Sequence, residues 1–521
     1  MTDAKRDGAK PAAMRRRPVW IWGISGWSMV SEVRIEAACG PLVGQRHGGV
    51  VRFLGIPYGE RPVGQRRFAR PEAKAAFARP FEAFSYGPAA PQRRTLPLPI
   101  ARMARVSADF SEDCLSLNVW TPAVSGKRPV LVFIHGGGFI IGAGSQYPGD
   151  DLAARGDVVV VTMNYRLGLL GFNPFAEIFP GDERFVANAG LLDQRLALAW
   201  VRDNIAAFGG DPDQVTIAGE SAGSVSVAWH LVAKASHPFY ARAIMQSGTL
   251  SLFYGRDRAR EIGDELRRSM GLTGGPGRLF ELSPKELQSA SRAAVRTRTG
   301  IVSWPYADEW EFGTAAPAAL AKAAKPVPLI IGTTRDEFSL FTDLPLLPLA
   351  TGKAEMTRVV ERLAGRDTAE RIARLYPGDR RGRIAFGTDL VFRMPTIAFA
   401  DNHAKAGNEV FSYRLDWEAK GLFSRLGATH SVDLPLLFKD FMRPFRAVYV
   451  GLLPDPRRHM LSERMRDHWL SFVREGRPGG DWPAYVPEER RTMIFGEKDR
   501  IVADPEARRR IAWRGIDGFA T

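Results

Sequence analysis

The stretch Val215-Thr216-Ile217-Ala218-Gly219-Glu220-Ser221-Ala222-Gly223-Ser224 constrains this chain more than any other. The β-branched residues 215–217 suit a buried strand, and residues 226–231 continue as a packed helix, so the segment reads as strand, sharp turn and helix start. Gly219 and Gly223 flank Ser221 two residues away on either side. A turn that projects a serine Oγ clear of the backbone is crowded, and the flanking positions must lack bulk. Standing alone, G-x-S-x-G also fits a flexible loop. The rest of the chain therefore has to supply a base, an acid and an oxyanion site if Ser221 is a nucleophile.

Other classes are narrowed by composition. At 521 residues, 45% hydrophobic and 25% charged, the chain has room for a large core. Its apolar runs, such as 130–134 and 158–162, are strand-length, well short of the roughly 18 to 20 residues of a membrane span. The net charge of +15 is scattered, with short clusters at 15–17 and 508–510. No aromatic-basic module accompanies it, so nucleic acid is not an expected partner. Two cysteines, Cys39 and Cys114, cannot make a disulfide framework and fit a reducing compartment. Residues 1–28 are read as a loosely held tail, with 29–521 as one domain and Met29 as an alternative start. Arg15–Arg17 followed by the tryptophan-rich 19–30 also has the outline of a secretory leader. Cytoplasmic location is the expectation and secretion the alternative.

Turn-rich Phe53-Leu54-Gly55-Ile56-Pro57-Tyr58-Gly59-Glu60-Arg61-Pro62 is followed by Glu112-Asp113-Cys114-Leu115 and, after the buried-strand run 129–134, by His135-Gly136-Gly137-Gly138-Phe139. These segments resemble the type-B carboxylesterase family, the serine-esterase branch of the α/β-hydrolases that includes the cholinesterases, in its bacterial form. The resemblance continues in family order through 164–171, 188–223, 246–248, 332–337, 427–438 and 469–485. It implies an α/β-hydrolase fold, a large mostly parallel sheet flanked by helices, with helical cap insertions over the site at 251–310 and 341–402. It also implies hydrolysis of carboxylic esters through an acyl-enzyme, without metal or organic cofactor.

Residue roles carry over in the same way. Ser221 is the expected nucleophile; His430, in Gly427-Ala428-Thr429-His430-Ser431-Val432-Asp433, the base; and Glu337, at the end of the strand around 328–332, the acid. That matches the chain order serine, acid, histidine. Gly137, Gly138 and Ala222 are the expected oxyanion donors, while Glu220 and Ser247 stand beside the triad as support. His135 resembles the structural histidine of the glycine loop. Arg67 with Glu112 and Arg166 with Asp193 are expected to brace the scaffold. The cysteine that usually partners Cys114 is replaced by Ala90, so Cys114 should be a packed thiol. Relatives carry glycine directly after the acid, where this chain has Phe338, whose ring is expected to fill pocket space without straining the loop. Helix 191–208 is expected to end at Gly209-Gly210-Asp211-Pro212 and lead into the strand at Val215.

An amidase, carbamate hydrolase or acyltransferase could use the same triad, because cap residues choose the leaving group and the acyl acceptor. A non-catalytic recognition module is the rival from another class. Such modules lose a triad residue, and here all three are present.

Overall fold

Continuous apolar runs such as Val159-Val160-Val161 suit strands covered on both faces, and they build the middle of one large sheet. The computed structural model describes residues 19–23, 26–93, 109–250, 253–272, 274–296, 304–306, 322, 324–343, 352–418, 424–442 and 455–516. Among these, fourteen strands share the sheet: β1 (Val19–Gly23), β2 (Gly26–Ala37), β3 (Gly40–His47), β4 (Val50–Pro57), β5 (Phe81–Glu82), β6 (Ser116–Thr121), β7 (Arg128–Ile134), β8 (Val159–Met163), β9 (Gly210–Glu220), β10 (Arg242–Gln246), β11 (Leu329–Thr334), β12 (Val410–Leu415), β13 (Arg491–Phe495) and β14 (Arg500–Ala503). Their order is β1-β2-β3-β4-β6-β8-β7-β9-β10-β11-β12-β13-β14, with β5 beside β3. The seven strands from β8 to β13 along that order run parallel, and antiparallel strands close both sides. Helices flank this sheet, giving the expected α/β-hydrolase architecture.

The helix Ala189–Asn204 tightens into a 3₁₀ turn, Ile205–Phe208, and stops at Gly209. Gly209 takes φ +78°, and a Cβ there would collide with the Ala123 carbonyl oxygen, so glycine is required. The next strand begins at Gly210, five residues before the expected Val215, because 210–214 pair beside β7 across a register shift between Arg128 and Val130. Strand β7 also lies between β8 and β9, so the helix carries the chain across one strand position.

Within 1–28, β1 pairs with β2 over Val19↔Val30 to Gly23↔Gly26; residues 1–18 lie outside the described residues. Cys114 is buried and unpaired in the same core cluster as Ala90, and Cys39 is also a free thiol. No helix among the described residues is long and apolar enough to cross a membrane.

Cap-type helices are present at Arg256–Ser269, Pro284–Arg296, Lys353–Ala364, Arg366–Ala373 and Arg380–Thr388. Parts of both expected insertions, at 251–252, 273, 297–303, 307–310 and 344–351, lie outside the described residues. The second insertion is shorter than expected. Its last helix, Met394–Lys405, turns Phe399 and Ala400 into the central core, and His403 Nε2 donates to the Val327 carbonyl at 2.8 Å, so this helix belongs to the layer that flanks the sheet.

Candidate active site

Parallel strands deliver side chains at one edge: Ser221 directly follows β9, Glu337 lies just past β11, the glycine loop follows β7, and His430 is carried by the longer segment after β12. Ser221 follows β9 at φ 57°, ψ −124°, a left-handed region costly for a residue with a side chain, and the helix Ala222–Val232 starts directly after it. Its flanking glycines are explained by contact. A Cβ on Gly219 would strike the Gly223 backbone, and one on Gly223 would strike the Ile134 carbonyl.

Glu337, just beyond β11, is fully buried. Its Oε2 accepts from His430 Nδ1 at 2.6 Å, and its Oε1 accepts from the Thr334 N–H at 2.7 Å and the Ser247 hydroxyl at 2.5 Å. These donors fix the carboxylate, and the carboxylate fixes the imidazole. The neighbouring Asp336 points elsewhere: its Oδ2 accepts from Arg335 and from the Ala428 N–H at 3.0 Å, while its own N–H bonds the Ala428 carbonyl. Asp336 thus holds the loop that carries His430, and Glu337 touches the ring. Both residues lie in the turn that follows β11, not on the extended backbone the sequence suggested, so the turn and not strand alternation sends the two side chains apart.

His430 Nε2 lies 3.3 Å from Glu220 Oε1, which also accepts from the Ser431 hydroxyl at 2.6 Å. Burial alone would disfavour the charged ring, but Glu220 and Glu337 outweigh it and raise the His430 pKa to about 9. Burial pushes Glu220 up to about 8, opposed by His430. Phe341 and Phe392 cover the imidazole, with ring centroids 5.2 and 4.9 Å away.

Gly137, Gly138 and Phe139 all have positive φ, at 107°, 61° and 58°, and curl the loop after β7. The Ile140 and Ile141 N–H groups close this loop on the Gly137 carbonyl. Among the described residues, the N–H groups of Gly137, Gly138 and Ala222 donate to no protein acceptor. A Cβ on Gly136 would come within 3.1 Å of both Ser221 Cβ and the Glu220 carboxylate, so this loop lies directly against the Ser221 turn. His135 is buried and stacked on Tyr165 at 4.3 Å, its Nδ1 donating to the Gly136 carbonyl; burial lowers its pKa to about 4. It is a neutral loop brace, as the resemblance implies.

Both scaffold pairs form. Arg67 grips Glu112 through two bonds of 2.7 and 2.5 Å, and Arg166 grips Asp193 through two of 2.8 and 2.7 Å with both side chains buried. Phe338 does not take a positive φ. Its ring packs under the cap helix at Gly387, where a Cβ would overlap it, and its N–H donates to Thr388 Oγ1 at 3.1 Å. The expectation that the loop is unstrained holds; the ring goes into cap packing.

Sequence reasoning did not assign the residues beneath the histidine. Asp433 is buried, and its Oδ2 accepts from Gln246 at 2.6 Å and from the Tyr413 hydroxyl at 3.3 Å. Burial raises its pKa to about 6. The only signal available was that Gln246 adjoins Ser247 and Asp433 lies three residues past His430.

The family profile described as "Carboxylesterase family" matches residues 31–512. The para-nitrobenzyl esterase of Bacillus subtilis is 36% identical over 487 residues, covering 90% of this chain and 96% of that protein. A solved PNB esterase superposes with a TM-score of 0.84 at 34% identity, covering 92% of this chain and 99% of the other. The carboxylesterase EST55 of Geobacillus stearothermophilus gives 0.80 at 34% identity, covering 92% and 100%.

Proposed function

We propose, from the premise that this chain belongs to the carboxylesterase family and hydrolyses carboxylic esters, that Ser221, His430 and Glu337 are its catalytic triad. The observation that carries the assignment is the 2.6 Å bond from His430 Nδ1 to a buried Glu337 already held by Thr334 and Ser247. With Nδ1 committed, Nε2 is the ring nitrogen left to take a proton from Ser221. Oγ attacks the ester carbonyl, and the N–H groups of Gly137, Gly138 and Ala222 receive the oxyanion. His430 then protonates the leaving alcohol. Water enters, gives its proton to Nε2 and attacks the acyl-enzyme, and Ser221 leaves with that proton as the carboxylate is released. These steps call for no metal or organic cofactor.

The ring stays oriented throughout because Glu337 cannot turn without losing two other hydrogen bonds. Small-molecule esters are the substrate class. The cytoplasm is the location that fits two unpaired cysteines. Ser221→Ala should lower kcat by about 10⁶ while leaving the fold intact. Covalent labelling of the wild type by an organophosphonate should vanish in the variant. Undiminished labelling would remove Ser221 from the mechanism.

A further inference from the structure

Between the helices Arg380–Thr388 and Met394–Lys405, residues Asp389–Arg393 form a π-helical turn. Such a turn widens the backbone ladder and persists where surrounding contacts hold it, often beside functional groups. Here its inner side meets the site. The Phe392 ring lies against His430 and, at 5.9 Å, stacks on Phe341. Thr388, just before the turn, holds the N–H of Phe338, the residue after Glu337.

On its outer side, the turn carries a charge cluster, buried at Asp389 and Arg393 and half-buried at Arg509, that the reaction does not use. Asp389 accepts from the Tyr376 hydroxyl at 2.7 Å and from Arg393 at 3.2 Å, and it pairs with Arg509 at 3.3 Å. Tyr376 in turn accepts from Trp513 Nε1 at 2.8 Å, and Arg393 donates to the Pro505 carbonyl. Arg509, Trp513 and Pro505 all come from the C-terminal segment. A buried ion cluster stabilises little once desolvation is counted, and its best-attested use is to fix register.

We propose that Asp389 and Arg509 are positioning residues for the reaction: the C-terminal segment clamps the π-turn in register, and the turn thereby holds Phe392 against His430. Relaxing the turn to an ordinary α-helix would shift register by one residue, about 100° of rotation, and carry Phe392 off the imidazole. The inference rests on His430 being the base.

The test is steady-state hydrolysis of p-nitrophenyl acetate by the full chain, well below each variant's Tm. Arg509→Gln should lose about ten- to a hundredfold in kcat with KM within about twofold, the scale of a small misplacement at a reacting group. Arg509→Lys should recover most of that loss. Phe392→Leu should show a loss of the same kind, and the double variant should be no worse than the worse single one. If Arg509→Gln does not fold, Asp389→Asn, which keeps an acceptor for Tyr376, carries the same expectation. Slower but stoichiometric organophosphonate labelling of Ser221 in these variants supports the clamp. A lowered Tm with wild-type kcat, or additive losses in the double variant, overturns it. Absence of labelling in the wild type would instead fell the triad assignment, and the clamp's role with it.

Discussion

Glu220→Gln should move the pH dependence of catalysis toward acid. In the wild type the Glu220 carboxylate lies 3.3 Å from His430 Nε2, and both groups are buried. At that separation, with an effective dielectric of ~20, an anion favours the protonated ring by up to about 5 kcal/mol, an upper limit of about 3 to 4 pKa units. The actual pull is smaller, because 3.3 Å is the approach of one carboxylate oxygen and the charge is shared with the second, more distant oxygen and with the Ser431 hydroxyl that it accepts from. We therefore expect a shift of about one to three units. The sign follows from the base role. Neutral His430 takes the proton, its raised pKa of about 9 delays the neutral form, and removing the anion lowers that pKa. The rising limb of kcat/KM must then appear at lower pH. The plateau should fall as well, since the same anion favours the imidazolium that forms in the transition state. Glutamine can still accept the Ser431 hydroxyl, so the fold is spared. The assay is kcat/KM for p-nitrophenyl acetate from pH 5 to 10, corrected with Ser221→Ala as a blank. A rising limb unmoved in Glu220→Gln would refute the reasoning.

Further outcomes follow from the same geometry. Glu337→Gln should lose up to about 10⁴ in kcat, whereas Asp336→Asn should lose little activity and about 1 kcal/mol of stability through its weakened hold on Ala428; a larger kinetic loss for Asp336→Asn would reverse the assignment. Asp193→Asn leaves Arg166 buried without its counter-ion and should cost about 3 to 5 kcal/mol in urea melts, and a change under about 1 kcal/mol would contradict that burial. A chain starting at Met29 removes β1 but leaves residues 30–37 of β2 paired with β3; it should stay folded and active, and loss of folded protein would show that β1 is part of the body.

What could be read in the sequence was what sterics and local order enforce. G-x-S-x-G survives reading because each glycine prevents a named backbone collision, whereas Glu337 is separable from Asp336 by the family pattern alone, since both lie in the turn beyond β11, where strand alternation does not apply. Charge pairs such as Arg67–Glu112 were legible only through the resemblance. The rest depends on meetings between distant residues. Gln246 and Asp433 touch across 187 positions, and nothing local to either announces it. The start of β9 was missed because Gly210-Asp211-Pro212 reads as a stop, although the partner strand accommodates it with a shift in register. The π-turn is invisible to a search for helical spacing, and the helix after it reads as cap because it continues a helix-rich stretch with few buried-strand signals, although Phe399 and Ala400 pack into the central core.

Phe338 and Gly387 form a complementary pair of sizes, and this makes their histories dependent. Where the family pattern has glycine after the acid, this chain has a ring, and the room for that ring exists only because position 387 has no side chain. A lineage moving from one arrangement to the other cannot place any larger residue at 387 while the ring remains. It must lose the ring first and pass through a cavity, on the order of 3 to 5 kcal/mol for a buried phenylalanine. The reverse path must empty 387 before the ring arrives. Libraries that vary the two positions separately will therefore score each as intolerant, while joint variation should recover folded pairs that neither single scan contains.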